Sequence, residues 1–392
     1  MSKKFIKGMS IIISSIGISV SLLTNSVYAV NSDSLENLNV TSIQTTIEDF
    51  FYEYETAFDN SNLTTDLYTD YFVSEASAET ETNIEVIDTM LYRRIMIKDE
   101  CPGDLRELNK ELVFNYASVD YDSNSASVEV EVTKTFNYAS SLDIESATRD
   151  TYTILLEKEN GVWRISQIEN FVDDIMKVQL EDAGVNLNNI DSIRDYRKDI
   201  LTNIREYFSD TMSTEILSPV ETYTAKTTTY DGGAASTYAL NHALNYNPDY
   251  ADFNGFGGDC TNFVSQCLYE GGGLPMHYGT PYTKTCWYYT TSTNRSSSWT
   301  GAEELYDYIF SNSSKINANI SNWNSVSFGD IIQLTSGGEG YHSLIVSGIQ
   351  YSSYGKSDLL VCAHTADRRH VSLASYYPGS NKRYIDITSS DL

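Results

Sequence analysis

Positive charge is scarce in this sequence. Its 392 residues carry 26 Lys+Arg against 54 Asp+Glu, a formal net charge of -28. Binding to a nucleic-acid backbone depends on Lys and Arg neutralising phosphates, and no basic stripe is present, so nucleic acid is excluded as a partner. The same excess of acid disfavours loose adsorption to anionic polymers. Metal-ligand spacing is missing too: no two Cys or His residues form a close ligand pair, and the interval from His364 to His370 is poor for structural zinc. Neither a metal nor another cofactor is expected. There is no internal repeat and no tandem array of short binding modules.

Long apolar runs are absent beyond the N-terminus, where a membrane helix would need ~20 such residues. The N-terminus itself has Lys3, Lys4 and Lys7, an apolar run from Met9 to Leu23, and the small-residue ending Val27-Tyr28-Ala29. This is the pattern of a signal peptide over residues 1-29, cleaved after Ala29. An uncleaved anchor fits less well, because the run is short and broken by serines and a glycine. Cleavage removes three lysines and no acids, moving the formal charge from -28 to -31. The sequence therefore predicts a secreted protein of the cell envelope with no membrane attachment after cleavage, and with an oligomeric state it does not specify. The five cysteines, Cys101, Cys260, Cys267, Cys286 and Cys362, are an odd number for an exported chain, so at least one thiol stays unpaired within a monomer.

A chain of this length exceeds what one hydrophobic core organises, which predicts two domains. From Val40 to Phe58, apolar residues recur every three to four positions, the spacing of one buried helix face. A second helical region spans Glu85 to Ile97. The period then changes to two: strands are predicted over Leu112 to Tyr121, through Val128, Val130 and Val132, over Tyr152 to Lys158 and over Val162 to Ile168. The last two meet across Asn160-Gly161, a hairpin-turn dipeptide. This element order and the final Gly-Val-Trp-Arg-Ile strand resemble the cone-shaped NTF2-like folds. Residues 35-173 thus read as an α+β accessory domain without catalytic clusters of its own. Residues 174-229 read as a helical and Thr-rich linker, including a helix over Ile190 to Tyr207, and residues 230-386 as a second domain. A fragment starting near Thr222 is expected to fold and keep its chemistry.

Within that second domain, Gly257-Gly258-Asp259-Cys260-Thr261-Asn262-Phe263-Val264-Ser265-Gln266-Cys267-Leu268 feeds a glycine turn into an amphipathic helix. Cys260 falls in the first turn, where the positive end of the helix favours a thiolate nucleophile. Cys267 lies on the buried face with Phe263 and reads as a core residue or disulfide partner. A thiolate of this kind needs an imidazole beside it. Of the five histidines, His242 lies within a helix from Ala234 to Tyr246, His277 in a loop and His370 in a turn, each structural or exposed. His342 opens the strand Tyr341 to Ser347 and is the expected base. His364 ends the strand Leu359 to His364. A hairpin centred on Ser353 would set His364 opposite His342 and let it orient that ring. Asp367, just past the strand, is the alternative third residue, since a carboxylate commonly orients the base.

Together with Tyr238-Ala239, Asn247-Pro248, Gly271-Gly272-Gly273, Phe328-Gly329-Asp330-Ile331-Ile332, the His342 strand and Cys362-Ala363-His364-Thr365-Ala366-Asp367, the cysteine motif resembles the amidase domain family of bacterial exported proteins. That family is related by pattern to the NlpC/P60 and CHAP papain-like cysteine peptidases and amidases. The resemblance implies a Cys at a helix N-terminus packed on a small antiparallel sheet that carries the His. It also implies hydrolysis of peptide bonds or of the sugar-to-peptide amide of peptidoglycan. No polar side chain upstream of Cys260 matches the papain-type oxyanion donor, which leaves the Cys260 backbone N–H. Two other readings stand beside this one. The first is an acyl transferase using the same Cys-His pair. The second is a non-enzymatic surface-binding protein, motivated by 30 tyrosines and the acidic surface.

Overall fold

The structure is a computed structural model that describes residues 32-63, 66-213, 230-353, 355-377, 379 and 381-391. The leader at 1-29 and the Thr-rich run at 222-229 lie outside the described residues. Three helices open the described chain: α1 (Ser32–Asp59), α2 (Asp66–Tyr71) and α3 (Ala78–Glu100). Four strands follow, β1 (Glu107–Tyr121), β2 (Ser125–Tyr138), β3 (Ser141–Glu159) and β4 (Val162–Glu169), and then α4 (Asp174–Asp182) and α5 (Ile190–Ser213). The second half starts with α6 (Gly232–His242) and α7 (Cys260–Gln266), the latter running on as a π-helical turn over Cys267–Gly271. Next come β5 (Tyr289–Thr291), β6 (Asn294–Arg295), α8 (Ser297–Thr300) and α9 (Ala302–Ile309). Strands β7 (Ile316–Ser321), β8 (Ile331–Ser336), β9 (Glu339–Ser352), β10 (Gly355–Ala363) and β11 (Asp367–Ser372), then α10 (Leu373–Tyr376) and β12 (Lys382–Ser390), complete it. The fold is mixed α+β around a large antiparallel sheet, as the sequence periods predict.

Period-two burial explains the first strands. Val128, Val130 and Val132 of β2 face inward, while Glu129 and Glu131 between them point out. The inner faces of β2, β3 and β4 are covered by α1, whose Ile43, Ile47 and Phe50 are fully buried. Asn160 and Gly161 both have positive φ, the geometry of the two-residue turn their identity favours.

The expected separation into two independent domains meets a different arrangement. Ten strands form one sheet in the order β1-β2-β3-β11-β10-β9-β8-β12-β7, with β4 also on β3. The edge of β3 is shared: Ala147, Thr148 and Arg149 pair with β11, and Thr153 to Glu159 pair with β4. One apolar core spans the join, containing Phe136 and Tyr138 from the first half with Leu344, Val346 and Leu360 from the second. Helix α5, expected to belong to a linker, contributes Ile200, Ile204 and Phe208 to that core. Strand β11 had no alternating signal in the sequence, and its pairing is what joins the halves. At the join Arg149 forms an ion pair with Asp367, and Arg368 with Asp150 and Asp173.

Candidate active site

Gly257 and Gly258 have φ values of 102° and 115°, which L side chains rarely adopt, and they turn the chain directly into α7. A Cβ at Gly258 would also crowd Thr365. Each polar residue of the motif that follows has a buried partner. Asp259 Oδ1 accepts from the Phe253 N–H and from Asn262 Nδ2, both at 2.9 Å. Asn262 Oδ1 accepts from Trp299 Nε1 at 2.8 Å. The Ser265 hydroxyl accepts from Trp287 Nε1 at 3.0 Å. These bonds satisfy the polar groups that a buried helix start would otherwise strand, and they fix Cys260 as the first residue of α7.

The Cys260 thiol is buried, with the Ser343 backbone N–H directed at it and the Thr261 hydroxyl 3.7 Å away. Thr261 and Ser343 share a hydrogen bond of 3.0 Å, and Gln333 Nε2 donates to Ser343 at 3.3 Å. These contacts lock α7 onto β9 and β8. Burial pushes the thiol above its ordinary value, outweighing the Ser343 and Thr261 contacts, which favour the anion. The resting site therefore holds a protonated thiol where the helix position alone suggested a thiolate.

His342 lies on β9 beside Ser343 and is completely buried. Burial first, and the nearby positive charge of Arg368 second, push its pKa down to about 3, so the ring is neutral at physiological pH. Neither ring nitrogen has a hydrogen-bond partner among the described residues. Its neighbour is Tyr377, with ring centroids 5.8 Å apart. The Tyr377 hydroxyl is likewise buried and unpartnered, and it lies within electrostatic reach of Cys260 and Arg368. The Cys260 thiol is thus buried against Ser343, and the residue before Ser343, His342, carries a neutral imidazole with two free nitrogens beside the free Tyr377 phenol. No hydrogen bond joins Cys260 to His342 in this resting arrangement.

His364 is not placed to orient His342. The β9-β10 ladder pairs Cys362 with Ile345, which projects His364 onto Ser343. That is one residue from the expected register, and a one-residue shift moves a side chain to the opposite face. The hairpin turn, which pairs Ser352 with Gly355, sets this register, and the irregularities between Lys356 and Asp358 and between Leu360 and Val361 shift the ladder in opposite senses and cancel. His364 Nδ1 instead meets the Asp259 carboxylate at 2.6 Å, and Nε2 donates to the His242 carbonyl at 2.9 Å. Its ring is sandwiched between Tyr246 and Phe263, with centroids 3.7 and 4.0 Å away. Asp367 does not reach His342 either: it accepts from Arg149 Nη2 at 2.6 Å and from the Tyr246 hydroxyl at 2.7 Å.

The remaining histidines and cysteines have structural surroundings. His370, expected in a turn, is buried in β11 with Nδ1 3.1 Å from the Ser347 hydroxyl. His277 Nδ1 lies 3.0 Å from the Tyr308 hydroxyl, and His242 Nδ1 lies 2.9 Å from the Asn245 carbonyl. None of the five cysteines is in a disulfide, and Cys267 is a core residue. Tyr377 and Arg368 escaped the sequence reading because one tyrosine among 30 and one arginine in a turn carry no positional signal. No group of three or more His, Cys, Asp or Glu among the described residues is arranged to hold a metal ion.

Residues 229-387 match the family described as "Putative amidase domain". The matched segment starts just before α6 and contains Cys260, His342, Tyr377 and Arg368, so the amidase-type region includes the whole buried cluster. No curated protein matches the chain. A solved structure of a point variant of Rv3472, titled a function unknown protein from Mycobacterium tuberculosis, is 14% identical and covers 46% of this chain and 96% of its own. Its TM-score is 0.25, too low to bear on the fold.

Proposed function

We propose that the chain is a secreted cysteine-dependent hydrolase of amide bonds, with Cys260 as nucleophile and His342 as general base and acid. The observations that carry this reading are a buried thiol at a helix start with the Ser343 backbone N–H directed at it and, one residue before Ser343, the fully buried His342 ring whose two nitrogens are both free. Family similarity over residues 229-387 supports amide chemistry. With a neutral thiol and a neutral imidazole, attack requires proton transfer. Sγ bonds to the amide carbonyl carbon as its proton passes to His342. The C–N bond then breaks as His342 returns that proton to the departing amine, leaving a thioester. Water attacks the thioester, His342 takes its proton, and the thiol leaves with it, releasing a carboxylic acid. The backbone N–H of Cys260 stabilises the oxyanion. Substrate entry must bring the ring and thiol into line, a tightening expected of catalytic hydrogen bonds when the substrate complex forms.

Peptidoglycan or a peptide is the substrate class that fits an exported amidase-type chain. Its papain-like character rests on the Cys-helix and His-strand arrangement. Mass spectrometry of purified peptidoglycan fragments incubated with the protein tests this. Fragments gaining one water at an amide are expected. Amine-exchanged fragments would make the protein an acyl transferase, and unchanged fragments would remove peptidoglycan as substrate.

A further inference from the structure

A second candidate site is lined mainly by the first half of the chain, with Arg368, Ser375 and Tyr376 from the second. A cavity enclosed by α1, α3 and the inner face of the sheet has an aromatic and thioether lining that includes Phe51, Tyr54, Met90, Tyr152 and Phe171. Five cations and four carboxylates also line it. Arg94 pairs with Glu55 at 2.8 Å, Lys134 with Glu107 at 2.8 Å, and Arg368 with Asp150 and Asp173, each at 2.8 Å. Lys98 reaches Asp99 at 4.0 Å. Arg93 is the exception. It is 3% exposed and forms no ion pair among the described residues.

The contacts Arg93 does make are poor substitutes for an anion. Nη1 points at two thioether sulfurs, Met176 at 3.5 Å and Met90 at 4.0 Å, and Nη2 donates to the Ser375 carbonyl at 3.1 Å. A guanidinium presents five donors in a planar fork suited to a carboxylate, and sulfur is a weak acceptor. A buried charge without a direct ion pair is costly and is ordinarily paired, and Asp173, already paired with Arg368, reaches Arg93 only through its field. This one lies inside a cavity in a chain whose net charge is -28, where acids would be easy to supply.

From this unpaired guanidinium in an aromatic-lined cavity, we propose that the cavity binds a small amphipathic carboxylic acid, with Arg93 as counter-charge to the carboxylate and the aromatic side chains around its apolar body. The site does not depend on amide hydrolysis at Cys260, and binding reads it without turnover.

The test is calorimetric titration of the full chain with phenylacetate, 3-phenylpropionate and 4-phenylbutyrate, each against its uncharged amide. At least one acid should bind ~10-fold or more tightly than its amide, the value of a charge-assisted contact. Arg93→Met should abolish that preference, and Arg93→Lys should keep part of it. If Arg93→Met does not fold, the thermal midpoint of the unaltered chain serves instead, rising with acid and not with amide. Equal binding of acids and amides, no binding by any of them, or an undiminished preference in Arg93→Met would overturn the proposal.

Discussion

His342 and His364 are both buried histidines near neighbouring strands, and they use their ring nitrogens in opposite ways. His364 has both nitrogens occupied and both ring faces stacked, so it acts as a fixed link between Asp259, α6 and the β10-β11 turn. Replacing it with Ala would leave Oδ2 of the fully buried Asp259 carboxylate without its His364 partner, while Oδ1 keeps the bonds from Phe253 and Asn262. His364→Ala is therefore expected to lower unfolding stability by about 1-3 kcal/mol, the cost of leaving a buried acceptor without its hydrogen bond. Chemical denaturation measures this, and an unchanged midpoint would show that the pair contributes nothing to stability. The sequence revealed the cysteine at its helix start, because the glycine turn and the apolar spacing are local signals. It could not reveal that His364 is turned away from His342. That depends on the hairpin turn pairing Ser352 with Gly355, which moves the ladder one position from a turn centred on Ser353, and no residue pattern marks it.

Strands β3 and β11 decide how the two halves relate. Helices and strands with strong periodicity, such as α1 and β2, were legible because a single face of each is buried. Strand β11 was not: Asp367, Arg368 and Arg369 look like a polar turn, and their burial comes from pairing with β3 and from ion pairs across it. A fragment beginning near Thr222 would expose the β11 edge and lose Phe136, Tyr138 and the α5 residues from the shared core. Unpaired edges and opened cores favour aggregation. The fragment is expected to be insoluble, or to lack a cooperative melting transition by circular dichroism, whereas the full chain shows one. A cooperatively folded fragment would show that the shared core and the β3-β11 pairing are dispensable for the second half.

At the scale of the whole molecule, one sheet carries both the segment that matches the amidase-domain family and a charged, aromatic cavity, and Arg368 lines the cavity and lowers the pKa of His342. The cavity was not legible, because its charges come from α1, α3, β1, β2, β3, β11 and Asp173 ahead of α4, and meet only on folding. The central claim concerns a single bond, the thioester on Cys260. Its most direct test is intact-mass measurement of the protein quenched during turnover of a slowly hydrolysed amide or aryl ester, followed by peptide mapping. An acyl adduct on the Cys260 peptide, absent from Cys260→Ala together with turnover, is the predicted result. Full turnover in Cys260→Ala, or an adduct mapping to another residue, would contradict it.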